Sequence, residues 1–200
     1  EVALKAPLRI YSDDGLLIQE FGERLTPVTF EEIPPLFIKA LLDTEDKRFF
    51  EHSGIDVVTL VNATWQLVRN RGRIRTGAST ITMQLVKNIS GDIEVRFLRK
   101  FKEMLLAIKI ERELSKEQIL TLYLNIIPFG KHAFGIQAAA NTYYGKDVDQ
   151  LSLAQLAMLA GIPQAPEAGN PINGPRRSIT RRNLVLLRML EQGSISQAQY

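Results

Sequence analysis

The strongest constraint on the fold is a helix-start signature that occurs twice. Ser115-Lys116-Glu117-Gln118 and Ser152-Leu153-Ala154-Gln155 are both capping boxes. In each, the serine hydroxyl serves the amide three residues on, and the glutamine side chain returns to the serine amide. The first opens a helix through Ile119, Leu122 and Tyr123, and the second a helix that stops at Gly161-Ile162-Pro163.

The rest of the chain supplies more helices of the same kind. After Pro34-Pro35, the apolar residues Leu36, Ala40 and Leu41 lead into Thr44-Glu45-Asp46. Asp56 caps a run through Val57, Leu60, Val61, Thr64 and Leu67 that Gly72 ends. Residues 70–78 read as a basic loop, Ser79 to Asn88 as a short helix, and Phe101 to Leu114 as a long amphipathic one. Phe134 to Tyr144 is Ala-rich, with Gly145 placed to close it. A Pro/Gly/Asn loop over 164–178 precedes a last helix from Thr180 to Gly193. Only the N-terminus has strand character: Leu8–Tyr11 and Leu16–Phe21 flank Asp14-Gly15, a hairpin turn signal. The fold class is therefore mainly α with a short N-terminal β-hairpin. The hairpin and linker occupy residues 1–30, and one domain occupies 31–200.

Composition removes several function classes. With 200 residues, 45% of them hydrophobic and 24% charged, the chain has enough apolar material for a core and is not a disordered tail. There is no Cys, which excludes disulfides, thiolate metal sites and a Cys nucleophile. The longest apolar run is the seven residues from Leu156 to Ile162, and a spanning helix needs about 20. The polar, mixed start carries no signal peptide, and both ends read as cut from a longer protein.

Charge is unevenly placed. Ten basic residues (Arg69, Arg71, Arg73, Arg75, Lys87, Arg96, Arg99, Lys100, Lys102, Lys109) face three acids (Asp92, Glu94, Glu103), which is +7 in a chain of net +3, leaving −4 elsewhere. Such a basic middle suits an anionic partner such as phosphate, nucleic acid or an acidic membrane surface, or else forms a solvated helix face.

Three polar clusters could carry chemistry. In the first, Glu45-Asp46 precedes Phe49-Phe50 and His52. An acid beside apolar rings can act as a general acid or base, while Asp46 can equally cap or pair. His52, one of two His, reads as a hydrogen-bonding residue, and no zinc-ligand spacing surrounds it. In the second, Ser79, Thr80 and Thr82 crowd a helix start, with Gln84 and Lys87 one turn on. Free amides there suit a phosphate, and plain capping is the alternative. In the third, Arg99, Lys100 and Glu103 share a helix face; a carboxylate so framed can orient the cations, hold a divalent metal, or form a surface ion pair.

Together these clusters resemble the peptidoglycan glycosyltransferases (family 51) of bifunctional class A penicillin-binding proteins. Five patterns carry the resemblance in order. They are Glu45-Asp46 with Phe49, His52 and Gly54; Gly77 with Ser79, Thr80, Thr82 and Gln84; Arg99-Lys100 with Glu103; Lys116 with Ile119-Leu120 and Tyr123-Leu124-Asn125; and Arg181-Arg182 with Val185-Leu186. There are two departures. Met83-Gln84 stands where the family has two glutamines, and Val95 stands where the family has an arginine, Arg96 being one place later.

The resemblance implies a lysozyme-like, two-lobed fold with a membrane-proximal lobe over about 70–110. It implies polymerisation of lipid II into β-1,4-linked glycan, with inversion and with undecaprenyl pyrophosphate as leaving group. Glu45 is then the base and Glu103 the second acid. Asp46, Ser79, Thr80, Thr82, Gln84, Lys87, Arg96, Arg99 and Lys100 bind substrate, and Glu103 is the candidate ligand for Mg2+ or Mn2+. Tyr123, Asn125, Arg181 and Arg182 read as structural. The partners implied are lipid II, the growing glycan strand and the membrane surface, with Ile93, Val95, Phe97, Leu98 and Phe101 as an interfacial segment; no nucleic acid is implied. A transpeptidase domain is expected after Tyr200, and an N-terminal anchor is expected to hold the protein at the outer face of the bacterial cytoplasmic membrane. The rival readings are a lysozyme-like muramidase, a helical nucleic-acid-binding module and an inactive scaffold. The muramidase needs no pyrophosphate site and the nucleic-acid module no Glu45-Asp46.

Overall fold

The computed structural model describes residues 8–11, 17–21, 24–25, 27–69, 79–90 and 96–200. Strand β1 (Leu8–Tyr11) pairs antiparallel with β2 (Leu17–Phe21), Leu8 opposite Phe21, with a register shift at Ile10 and Tyr11. The expected Asp14-Gly15 turn lies outside the described residues, as do the basic loop 70–78 and its Gly72. A second two-stranded pairing is parallel and joins β3 (Arg24–Leu25) to β4 (Ala133–Phe134).

Eight helices follow among the described residues: α1 (Pro35–Glu45), α2 (Val57–Arg69), α3 (Ile81–Ser90), α4 (Arg96–Glu113), α5 (Lys116–Ile126), α6 (Ile136–Tyr144), α7 (Leu153–Gly161) and α8 (Pro175–Glu191). A 3-10 turn, Val148–Gln150, sits between α6 and α7. The chain is thus mainly helical, as its spacing predicts.

Local signals explain the ends. Ser115 accepts from the Gln118 amide at 3.2 Å, and the Ser115 amide donates to Gln118 Oε1 at 2.8 Å. The Ser152 amide donates to Gln155 Oε1 in the same way at 2.9 Å. Asp56 takes the Thr59 amide at 3.0 Å at the start of α2, and Gly145 closes α6 in the left-handed conformation at φ 62.

Four helix starts differ from the sequence expectation, and the first is α6, which begins at Ile136 because Phe134 belongs to β4. Helix α3 starts at Ile81, because Thr80 is its cap: Thr80 accepts from the Met83 amide at 3.2 Å. Helix α4 begins at Arg96 rather than Phe101. Helix α8 begins at Pro175, five residues before Thr180; proline with its fixed φ fits a first helical turn, so the preceding loop is shorter than 164–178.

Helix α7 is the core element. Every residue from Leu156 to Ile162 is buried, and α7 packs against both α1 and α8. Phe37, Ala40, Leu41 and Thr44 are the buried stripe of α1, at the i, i+3, i+4, i+7 spacing of a one-sided helix. A separate small cluster, Met83, Val86 and Ala107, joins α3 to α4. The end of α1, the start of α3 and the middle of α8 meet between these two cores.

Candidate functional site

Glu45 is the last residue of α1. A carboxylate there sits at the negative end of the helix dipole, so it needs a cation. Helix α8 supplies two. Arg181 Nη2 donates to Glu45 Oε1 at 2.9 Å, and Arg188 Nη1 donates to the Thr44 carbonyl at 2.6 Å. The Arg181 contact is single-pronged: its buried Nε–H has no hydrogen-bond partner. Burial pushes the Arg181 guanidinium below its ordinary range against the opposing effect of Glu45. Gly161 makes room for the Arg181 stem, since a Cβ there would lie 2.8 Å from its Cγ.

The other oxygen of Glu45 faces α3. Gln84 Nε2 donates to Oε2 at the long distance of 3.4 Å. The Gln84 amide is oriented from behind by the Tyr123 hydroxyl, which donates to Gln84 Oε1 at 2.8 Å. Tyr123 is fully buried, and burial, reinforced by the charges of Glu45 and Asp46, pushes its phenol far above its ordinary range. It therefore stays a donor. Glu45 keeps 17% of its side chain exposed, and Arg181 16%. The carboxylate has one oxygen bound by a cation and the other only loosely held.

Asp46 turns the opposite way, into the protein. Both its oxygens lie 3.0 Å from His52 Nε2, and Oδ2 accepts the Ile81 amide at 2.9 Å. The Gly54 amide donates to His52 Nδ1 at 3.2 Å, which leaves the ring proton on Nε2, aimed at Asp46. Asp46 thus ties the end of α1 to the start of α3. Gly54 closes this loop at φ 94 against α4, where a Cβ would lie 2.7 Å from the Ala107 carbonyl carbon.

The hydroxyls of the second motif divide. Thr80 Oγ1 donates to the Gly54 carbonyl at 2.7 Å, and Thr82 Oγ1 donates to Glu111; both threonines are buried. Both hydroxyls are thus engaged inside the protein, whereas the sequence reading places them at the substrate. Glu111 also takes Lys116, whose ammonium reaches the His52 carbonyl at 2.6 Å. Ser79 remains half-buried and accepts from Lys100 Nζ at 2.6 Å.

Lys100 also reaches Glu103 Oε2 at 2.9 Å, and Arg99 Nε lies 3.5 Å from Oε1. Glu103 is only 5% exposed. Its two oxygens hold two cations, and no group of three His, Asp or Glu that could hold a metal occurs among the described residues. Glu103 is thus a carboxylate that fixes Lys100 and Arg99; as a ligand for Mg2+ or Mn2+ it would supply one carboxylate, the rest of the shell coming from substrate phosphate and water. Lys87 is exposed one turn beyond Gln84 on α3. Arg96 opens α4, and its side chain lies outside the described set, as does Val95.

Two walls therefore flank the first turn of α3: the Glu45–Arg181 pair, reached through Gln84, and the Lys100–Glu103 group, reached through Ser79. The structure brings Glu45, Gln84, Ser79, Lys100, Arg99 and Glu103 to this place and sends Asp46, Thr80 and Thr82 behind it. Arg181 and Tyr123, read from sequence as buttresses, are part of the site. Asn125 is a buttress: its side chain exchanges two 2.8 Å hydrogen bonds with the Val28 backbone.

Nearby helices leave large apolar side chains in solvent. Val57, Val58, Val61 and Trp65 of α2 are exposed, Trp65 by 66%, and so are Ile89, Phe101 and Leu105. Ile93 lies outside the described residues, and so do the side chains of Phe97 and Leu98. No described helix is long and apolar enough to cross a membrane.

A model of the transglycosylase family matches residues 14–190. The chain is 52% identical to penicillin-binding protein 1A of Pseudomonas aeruginosa and 48% identical to that of Escherichia coli, in each case over 100% of this chain and 24% of the relative. It thus spans about a quarter of the length of those relatives. A crystal structure of penicillin-binding protein 1A from Haemophilus influenzae matches with a TM-score of 0.60 at 30% identity, over 100% of this chain and 20% of that one.

Proposed function

The chain belongs to the transglycosylase family, and on that premise we propose that it is a peptidoglycan glycosyltransferase that polymerises lipid II. The growing glycan, carried on pyrophosphate, is the donor, and the 4-hydroxyl of an incoming lipid II sugar is the acceptor. The acceptor oxygen bonds to the donor's anomeric carbon while the bond to pyrophosphate breaks on the opposite face, so that an α link becomes a β-1,4 link.

Glu45 is the base, and Oε2 is the atom that takes the proton. The observation that carries this is the unequal holding of its two oxygens: Oε1 accepts a charge-assisted bond at 2.9 Å, and Oε2 only a 3.4 Å contact that an acceptor hydroxyl can displace. The negative charge that grows on the leaving pyrophosphate meets Lys100, Arg99 and Lys87, with Ser79 beside them. Glu103 holds Lys100 and Arg99 in place before substrate arrives, and no step is assigned to Mg2+ or Mn2+.

The exposed Val57, Val58, Val61 and Trp65 face, with Phe101 and Leu105, supports contact with the membrane that holds the lipid. The length of the relatives supports the further reading of a membrane-anchored protein at the outer face of the cytoplasmic membrane with a C-terminal transpeptidase domain. Incubation of the chain with labelled lipid II in detergent tests the reaction. Glycan ladders that lysozyme digests are expected; a folded chain that yields none, also when tested within the full-length protein, contradicts the reading.

A further inference from the structure

A pocket of about 290 Å³ opens beside Arg181. The end of α7 and its following loop form one side, with Gly161, Gln164 and Ala165. One stripe of α8 forms the other, including Arg177, Arg181 and Leu184. None of the residues that line it is acidic.

The surrounding charge is one-sided. Arg177 and Arg188 both oppose the charge of Arg181, and Glu45 is the carboxylate that answers it. Arg188 is used on the Thr44 carbonyl, Glu45 takes a single prong of Arg181, and Arg177 is exposed at the pocket. Arg177 and Arg181 both line the pocket, and Glu45 answers only Arg181, which leaves a positive surplus where the pocket opens. The floor, by contrast, is made of Gly161, Ala165 and Leu184. A bare inorganic anion gains nothing from such a floor, whereas a carboxylate on a short aliphatic group gains from both surfaces. The volume is at the lower end of small-molecule sites, which start at about 300 Å³, and suits one or two small residues rather than a sugar or a lipid chain.

We propose that this pocket is a subsite for the free carboxylate end of a short, alanine-like peptide, with Arg177 as its main cation and the Gln164 side chain as a hydrogen-bonding partner. The identity of the ligand rests on the glycosyltransferase reading, because lipid II brings a peptide into the cleft with its sugars. The carboxylate then lies one guanidinium away from the base, so peptide occupancy and the seating of Glu45 share Arg181.

Direct binding tests this without turnover, so its outcome is independent of whether the chain polymerises lipid II. N-acetylated alanyl-alanine, its C-terminal amide and inorganic phosphate are titrated into the nitrogen-15-labelled chain, and the amide signals of Gly161, Ala165 and Gly169 are followed. Saturable millimolar binding of the free acid is expected at these signals, with no binding of the amide-capped form. Arg177→Ala should weaken it at least about fivefold, and Arg177→Lys should restore part of the loss. Equal binding of the capped form, phosphate binding as tight as the dipeptide, an unchanged affinity in Arg177→Ala, or no shift at these residues would each overturn the proposal.

Discussion

Glu45 Oε1 and Arg181 Nη2 lie 2.9 Å apart, although 136 positions separate the two residues in the chain. The contact fixes which oxygen of the candidate base is left for chemistry. Arg181→Ala should lower kcat by on the order of 10²-fold, because a misplaced base loses its near-attack geometry. KM should move only a few-fold, and Arg181→Lys should recover part of the rate. Steady-state kinetics on the three proteins, with melting curves to confirm folding, check this. A loss in KM alone would make Arg181 a substrate-binding residue instead.

Tyr123 holds Gln84 from behind, and Gln84 leans on Glu45. Tyr123→Phe leaves Gln84 Oε1 without its buried donor and should cost about 1–3 kcal/mol of stability. Its phenol is held neutral by burial, so Tyr123→Phe should leave unchanged the phenolate absorbance that the folded protein gains near the ordinary phenol pKa of about 10. Chemical denaturation and an ultraviolet titration measure the two effects.

Tyr143 gives a dependence on alkaline pH. Burial, with the Glu167 charge behind it, pushes its phenol up to about 12. The unfolded chain releases this proton near its usual pKa of about 10, so between those values the unfolded state binds fewer protons and stability falls as pH rises. The contribution is complete below pH ~10. Tyr143→Phe should flatten the decline over that window in a series of melts.

Asp46 clamps the end of α1 to the start of α3 through His52 and the Ile81 amide, and its variants should behave accordingly. Asp46→Ala strands both the His52 ring proton and the Ile81 amide in the interior, at about 1–3 kcal/mol for each group left unsatisfied. His52→Ala should cost a similar amount, and the double variant should cost less than the sum. Additive losses would show that the two residues act separately.

Much of this fold is legible in the sequence, and the reasons are local. The capping boxes at Ser115 and Ser152, the Asp56 cap and the αL residue Gly145 work within a few residues of themselves. The helix starts that slipped, at Ile81, Arg96, Ile136 and Pro175, carry no such box. At the site, the residue types near Glu45 and Glu103 could be read from motif spacing. Their facing could not. Asp46 beside Glu45, and Thr80 and Thr82 beside Ser79, differ from their neighbours only in which way the backbone turns them. Arg181 reaches Glu45 from another helix, and nothing within its own segment marks it apart from Arg182, which hydrogen-bonds to its neighbour Asn183.

The chain has a single tryptophan, and it lies on the exposed apolar face of α2 with 66% of its surface in solvent. Vesicles of anionic lipid should therefore blue-shift the fluorescence of the unmodified chain, and Val61→Glu should reduce the shift. An emission maximum that vesicles leave unchanged would argue that this face is covered by protein rather than lipid.

The role of Glu45 is the centre of this account, and Glu45→Gln tests it most directly. The substitution keeps the size of the side chain and an oxygen for Arg181 but removes the proton acceptor. Polymerisation of labelled lipid II by the parent and the variant should be compared at equal concentration, with matching melting curves. The account predicts glycan ladders from the parent and a rate reduced by at least ~10²-fold in the variant. Ladders from a folded Glu45→Gln at a rate within a few-fold of the parent would contradict it.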